Sequence, residues 1–427
     1  MDKNCIIHTL ANGMRAVYCQ RHGNVAYCGV AVNAGSRDEG VDRGLAHFVE
    51  HTIFKGTSRR RAWHILNRME LVGGELNAYT SKEETLVYSL FPKGNMPRAI
   101  ELIADLVQNS VFPEHELEKE REVVLEEILS YRDTPSEAIY DDFEDLIFAG
   151  NAIGHNILGD EDSLKELSSE KCRKFIECLY TPGNMVLFGV GDAAPERFFR
   201  LAERHFGSFS RTLVRPERIV PAVLPQFAET RSVDSHQAHT VIGIPTFGMH
   251  DDRKYALLLL NNILGGPGMN SLLNVAIRER HGYAYTVESA VTLFSDSGLM
   301  TVYFGSDERY AKRCLNLVDR TLDSLASSTM RQRALDAAKK QYAGQLLVGS
   351  ESLEGTALSM GKSVMHFGTV STVDEITDRI RSVTAEQLRD AAATIAGRYC
   401  RLTFLGKFAI SGVESQDSEC VGRGVGG

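Results

Sequence analysis

His47, Glu50 and His51 stand together in the stretch from Arg43 to Thr57 of a 427-residue chain. The stretch has no proline, and its glycines, Gly44 and Gly56, lie near its two ends. Leu45, Phe48, Val49 and Ile53 recur at helical spacing, which predicts a helix. On a helix, His47 and His51 share one face, one turn apart, with Glu50 on the same side. Two neutral imidazoles offered that way chelate a divalent ion. A carboxylate beside them, not itself a ligand, is placed to take a proton from a water that the ion activates. Paired histidines also occur on solvated or core helix faces with no metal. Here, however, the charged groups interrupt a predominantly apolar helix, where they are costly without a purpose.

A third ligand is available downstream. Pro113-Glu-His-Glu opens a helix running to about Arg132, with proline in the first turn and acids that complement the helix dipole. Glu120 and Glu127 share a face there, with Val123, Val124 and Ile128 around them. Glu118, Glu122 and Glu126 are expected on the solvated side. Glu127 lies on or near the apolar stripe, so it is the candidate that completes a His-His-Glu set with one open position for water. Glu120 suits an outer role, orienting a ligand histidine. The order His-x-x-Glu-His is that of the inverted zinc-peptidase motif.

The elements that must position these groups read as follows. Two strands flank Asn12-Gly13, a hairpin signal, and a third covers 25–32. The motif helix, a helix at 62–72 and strands at 75–81 and 85–91 follow, then helices at 96–107, 113–132, 136–149, 161–167 and 169–179. A strand at 184–191 and a helix at 195–206 close the first half. From 239 the order repeats: a strand (239–245), helices at 252–263 and 271–281, two strands (285–294, 298–305), long helices at 308–324 and 330–347, helices near 351–366, 373–381 and 385–396, and a strand at 399–405. The expectation is a duplicated α+β module: an N-terminal domain over 1–210, a linker over 211–227 and a homologous domain over 228–427, with a flexible Gly-rich tail after about Ile410. The second copy has no His-x-x-Glu-His, which suggests a different job for it, such as closing over the site.

Composition sets the class. Hydrophobic content of 43% and charged content of 24% are those of a soluble globular protein, and the length calls for two domains or more. No apolar run is long enough to cross a membrane. The N-terminus has neither a secretory nor a transit pattern, which predicts a cytoplasmic protein. Eight scattered cysteines without Cys-x-x-Cys are expected reduced. A net charge of −9 argues against nucleic acid as partner.

Gly44-Leu-Ala-His-Phe-Val-Glu-His-Thr-Ile-Phe-Lys-Gly-Thr57 resembles the signature of the insulinase/pitrilysin zinc metallopeptidases, within them the bacterial type of the mitochondrial-processing-peptidase-like subfamily. Met69-Glu-x-x-Gly-Gly-x-x-Asn-Ala-x-Thr-Ser81 resembles the family's substrate-edge strand, Glu120-Arg-x-Val-Val-Leu-x-Glu127 its third-ligand helix and Ile277-Arg-Glu-Arg-His-Gly-Tyr-Ala-Tyr285 its second-half Arg/Tyr segment. Tyr342 to Glu351 resembles its long second-half helix. The resemblance implies two homologous α+β domains forming a clamshell around a chamber. It also implies a single Zn2+ per chain held by His47, His51 and Glu127, with Glu50 as general base and Glu120 behind a ligand. Arg278 and Tyr285 would supply oxyanion donors. Asn77, Ala78, Tyr79 and Thr80 would bind substrate as an added strand, which favours unfolded peptides. Asn270-Ser271-Leu272-Leu273 lacks the arginine that often follows that serine in the family. A homodimer is expected, since such subunits commonly pair, with a heteromeric partner as the variant. The competing reading is a non-catalytic structural or partner-dependent subunit; the intact site residues argue against it.

Overall fold

The computed structural model describes residues 5–406; the tail expected after Ile410 lies outside the described residues. The first half contains β1 (Cys5–Thr9), β2 (Arg15–Gln20), β3 (Val25–Val32), α1 (Leu45–Thr52), α2 (Ala62–Glu70), β4 (Glu75–Thr80), β5 (Thr85–Pro92), α3 (Met96–Asn109), α4 (Glu114–Arg132), α5 (Pro135–Ile147), α6 (Glu161–Glu166), α7 (Ser169–Leu179), β6 (Met185–Gly191) and α8 (Pro195–Phe206). The second contains β7 (Ala228–Val233), β8 (Ala238–Phe247), α9 (Lys254–Gly265), β9 (Ala284–Leu293), β10 (Ser297–Ser306), α10 (Glu308–Ser327), α11 (Gln332–Gly349), α12 (Leu353–Phe367), α13 (Val373–Ser382), α14 (Ala385–Ile395) and β11 (Cys400–Gly406).

The duplication is plain in the strand ladders. One sheet runs β1-β2-β6-β3-β5-β4 and the other β7-β11-β8-β10-β9. In both, the first-named pair of the shared core is parallel (β2 with β6, β7 with β11) and every later pair is antiparallel. Strand β1 is the addition in the first copy, joined to β2 through a connection in which Gly13 takes φ +85° and Met14 N–H donates to Asn12 Oδ1 at 3.1 Å.

The compact units, however, are not the two halves of the sequence. One comprises the chain up to Leu129, Gly150–Pro221 and Lys340–Arg381; the other comprises Ser130–Ala149, Ala222–Lys339 and the chain from Ser382. The modules trade equivalent helices. Helix α5 belongs to the first half by sequence but packs on β8 and β11, whereas α12, its counterpart in the second half, packs on β2, β3 and β6. In the first unit, α12 covers one sheet face: Ala357, Met360, Val364 and Met365 bury against Val17, Tyr27, Leu86, Tyr88, Val186 and Phe188. The opposite face carries α1, α3 and α8 over a second apolar layer that includes Leu45, Phe48 and Val49. Polar contacts also seat α12. Arg15 donates to the Val364 carbonyl at 2.6 Å, Tyr88 OH donates to Glu354 at 3.0 Å, and Glu84 pairs with Lys362 and with His366.

A Cβ at Gly361 would lie 2.5 Å from the fully buried Phe188 ring. Alanine ordinarily favours a helix over glycine by about 1 kcal/mol. Here overpacking should outweigh that gain, and Gly361→Ala should destabilise the protein by about 1–3 kcal/mol, read as a lowered Tm. An unchanged or raised Tm would mean that the helix does not sit this close.

Two expectations need correction. Strand β7 is absent from the sequence reading, because Glu229 to Ser232 is polar throughout and only pairing along β11 makes it a strand. The helix expected at 271–281 is instead wound wide over Asn274–Glu279, with Arg280 N–H bonding back to the Val275 carbonyl at 3.1 Å. The linker carries no regular element, yet it is strapped to the first unit as far as Pro221. Arg211 donates to the carbonyls of Ile176 and Gln108, and Arg218 makes a two-pronged pair with Asp38 at 2.9 and 2.6 Å. The described cysteines are free thiols. Among the described residues no helix is long and apolar enough to cross a membrane.

Candidate metal centre

Helix α1 starts abruptly. Gly44 adopts φ +82°, and a Cβ there would meet the Leu158 carbonyl oxygen at 2.6 Å, so glycine alone fits. Leu45, Phe48, Val49 and Ile53 are buried in the core, and this turns His47, Glu50 and His51 to the opposite side. The imidazole centroids of His47 and His51 are 4.5 Å apart. Helix α4 brings Glu127 to them: its Oε2 lies 3.7 Å from His47 Nε2 and 3.4 Å from His51 Nε2. All three donor atoms fall within 4.8 Å of one another. Ligand bonds of about 2.0–2.1 Å in a tetrahedron set donor–donor edges of about 3.4 Å. The donor set therefore fits zinc in chemistry, and the two edges from Glu127 fit it in spacing.

The surroundings tune each ligand. Glu120, buried, meets His51 Nδ1 at 3.1 Å through Oε1 and pairs with Lys55 through Oε2. The bond assigns Nδ1 as donor and leaves Nε2 of His51 for a metal. Burial, then neighbouring His51, pushes His47 down to about 3, so it is the neutral ligand form. Burial would lower His51 too, but Glu120, Glu127 and Glu50 outweigh it and raise it. Burial raises Glu50 despite hydrogen bonds from the Thr80 hydroxyl and backbone N–H, with Glu127 adding to the rise. Glu50 is thus a strengthened base held by the edge strand β4.

The structure brings His47, His51, Glu127, Glu50 and Glu120 together. Glu118, Glu122 and Glu126 are exposed as expected; Val123 is exposed as well, and Val124 and Ile128 alone carry the buried stripe of that turn. Asn77, Ala78, Tyr79 and Thr80 lie on β4, the edge of its sheet, and pair with β5. In the second unit, Arg278 and Tyr285 are also brought together. The guanidinium lies 5.3 Å from the ring centroid, the chain reverses at Gly282 with φ +62°, and both side chains line a cavity of about 410 Å3. Sequence reasoning missed Lys55 behind Glu120, and Glu39 and His155 at the start of α1. An acid just ahead of a helix capped by glycine was the available signal for Glu39.

Comparison with known proteins follows the same lines. Residues 15–161 match the family model described as Insulinase (Peptidase family M16), and residues 166–342 match the Peptidase M16 inactive domain. A protein of Bacillus subtilis named an uncharacterized zinc protease is 32% identical over 90% of this chain and 94% of its own length. This chain belongs to the M16 peptidase family. Another relative of the M16 chain, an uncharacterized zinc protease of Mycobacterium tuberculosis (H37Rv), is 34% identical over 89% of this chain and 88% of its own. Among solved structures, a peptidase M16 inactive domain from Pseudomonas fluorescens aligns with TM-score 0.87 at 19% identity, over 94% of this chain and 98% of that one. A protease from Helicobacter pylori aligns with TM-score 0.85 at 22% identity, over 94% and 99%. These two share the fold. The description of residues 166–342 agrees with the confinement of His-x-x-Glu-His to the first module.

Proposed function

We propose that this M16 chain is a zinc-dependent endopeptidase acting on short unfolded peptides. The observation that carries the reading is the convergence of His47 Nε2, His51 Nε2 and Glu127 Oε2 beside a half-buried, strengthened Glu50. Zinc, when bound, supplies Lewis acidity and makes water a nucleophile near neutral pH. Glu50 takes the proton of the attacking water and hands it to the leaving amine. Thr80 holds the Glu50 carboxylate in place during both transfers, and Glu120 keeps His51 turned with Nε2 free. The guanidinium of Arg278 and the hydroxyl of Tyr285 are assigned, on the family resemblance, to the oxyanion that develops on the scissile carbonyl. The free edge of β4 offers backbone groups to an extended peptide at Asn77–Thr80, a mode that reads main chain before sequence.

The test is metal analysis of protein purified without chelators, alongside cleavage of a quenched fluorescent peptide. Wild type should carry close to stoichiometric zinc, lose cleavage to a chelator and regain it on zinc addition. Glu127→Ala should lose both zinc and cleavage. A wild type without zinc overturns the reading; a zinc-loaded but inactive one points to the structural or partner-dependent subunit.

A further inference from the structure

Helix α1 is eight residues long and starts at a glycine that has no side chain to cap it. Helices this short are not stable by themselves, and their first-turn N–H groups need acceptors. Leu45 N–H donates to the Asp42 carbonyl at 3.0 Å, and the acceptor for the N–H groups on either side of it is Glu39, whose side chain is fully enclosed. Its Oε1 accepts from Gly44 N–H at 2.7 Å and its Oε2 from Ala46 N–H at 2.9 Å. The same carboxylate meets His155 Nε2 at 2.8 Å. Ala46 immediately precedes the ligand His47.

The node extends to the other side of the centre. The His155 carbonyl accepts from Lys82 Nζ at 2.6 Å. Lys82 lies in the turn that follows β4, and the chain around Glu39 is laced to that turn: Ser36 N–H donates to the Ser81 carbonyl at 3.1 Å and Arg37 N–H to the Lys82 carbonyl at 2.8 Å. Two residues back from Lys82, Thr80 holds Glu50. One buried carboxylate thus ties the start of the ligand helix to the strand that holds the base. The left-handed glycine at the cap excludes a local side-chain cap such as serine or aspartate, and enclosing a carboxylate is costly until its partners offset it. The arrangement is better suited to placement than to stability.

We propose that Glu39, with His155, is a positioning residue of the metal centre, setting α1 against β4 so that the His47 and His51 donors meet Glu127 and Glu50 meets Thr80. The proposal rests on the zinc peptidase reading above. Glu39→Gln in the full chain keeps the shape, but its amide NH2 must face one of three N–H donors. Its zinc dissociation constant, by competition with a chromogenic chelator, should rise about tenfold or more. Its kcat should fall by a similar factor while KM stays within about twofold. Gly361→Ala serves as the control for lost stability: its Tm falls while zinc affinity and kcat stay within about twofold of wild type. If Glu39→Gln matches wild type within about twofold in both zinc affinity and kcat, Glu39 is a cap and the proposal is overturned. Should that variant not fold, His155→Ala, which leaves Glu39 on the helix, must show the same direction; unchanged zinc affinity there overturns it equally. Failure of the peptidase reading is seen separately, in wild type that binds no zinc or does not cleave, and this inference falls with it.

Discussion

Glu50→Gln keeps its zinc and loses peptide cleavage by about two to four orders of magnitude in kcat. The substitution leaves His47, His51 and Glu127 untouched, so the donor set remains complete. An amide oxygen still accepts from Thr80, so the side chain stays where the structure holds it. What disappears is the capacity to take a proton. In wild type, burial favours the protonated carboxyl and gives Glu50 a stronger hold on a proton than an exposed glutamate has, while the Thr80 bonds and His51 pull the other way. A base so poised both accepts and releases. Zinc content and single-turnover cleavage, measured on the same preparations, check the prediction. Cleavage within about tenfold of wild type would remove Glu50 from the proton path. Loss of zinc would instead make it part of the holding set.

The second large effect concerns the whole molecule. A polypeptide that stops at Pro221 contains the zinc ligands, the base and the first sheet, yet it should not fold to a native state. It lacks α12, and without that helix Val17, Tyr27, Leu86, Val186 and Phe188 present an uncovered apolar face. It also retains α5, whose own packing surface on β8 and β11 is missing. The complementary piece from Ala222 has the reciprocal defect. Expressed singly, both pieces should be insoluble or bind a hydrophobic dye. Expressed together, they should co-purify in equal amounts and bind zinc. A soluble first piece that unfolds cooperatively by itself would show that the exchanged helix is dispensable.

Much of the centre was legible because its signals are local. The period of Leu45, Phe48, Val49 and Ile53 turns two histidines to one side, and a glutamate near an apolar stripe on α4 asks for a reason. The duplication was legible because element order survives in hydrophobic pattern. The helix exchange was not: α5 and α12 are amphipathic whichever sheet they cover, and nothing in periodicity names the partner. Strand β7 was hidden for the same reason, since its pairing and not its side chains makes it a strand. The wide winding at Asn274–Glu279 depends on hydrogen-bond register that a helical period does not resolve. Glu39 escaped because a carboxylate reaching forward to a helix start is set by loop geometry, here the lacing of 36–37 to 81–82.

The traded helices also impose an order in time. On a ribosome, the first sheet is complete once β6 has emerged, but the helix that finishes its second face ends at Phe367. At about 5–20 residues per second, the stretch from Gly191 to Phe367 takes roughly 9 to 35 seconds to synthesise. For that interval the nascent first unit displays a greasy sheet to everything around it, so this protein's yield in a cell should depend on chaperones that shield growing chains.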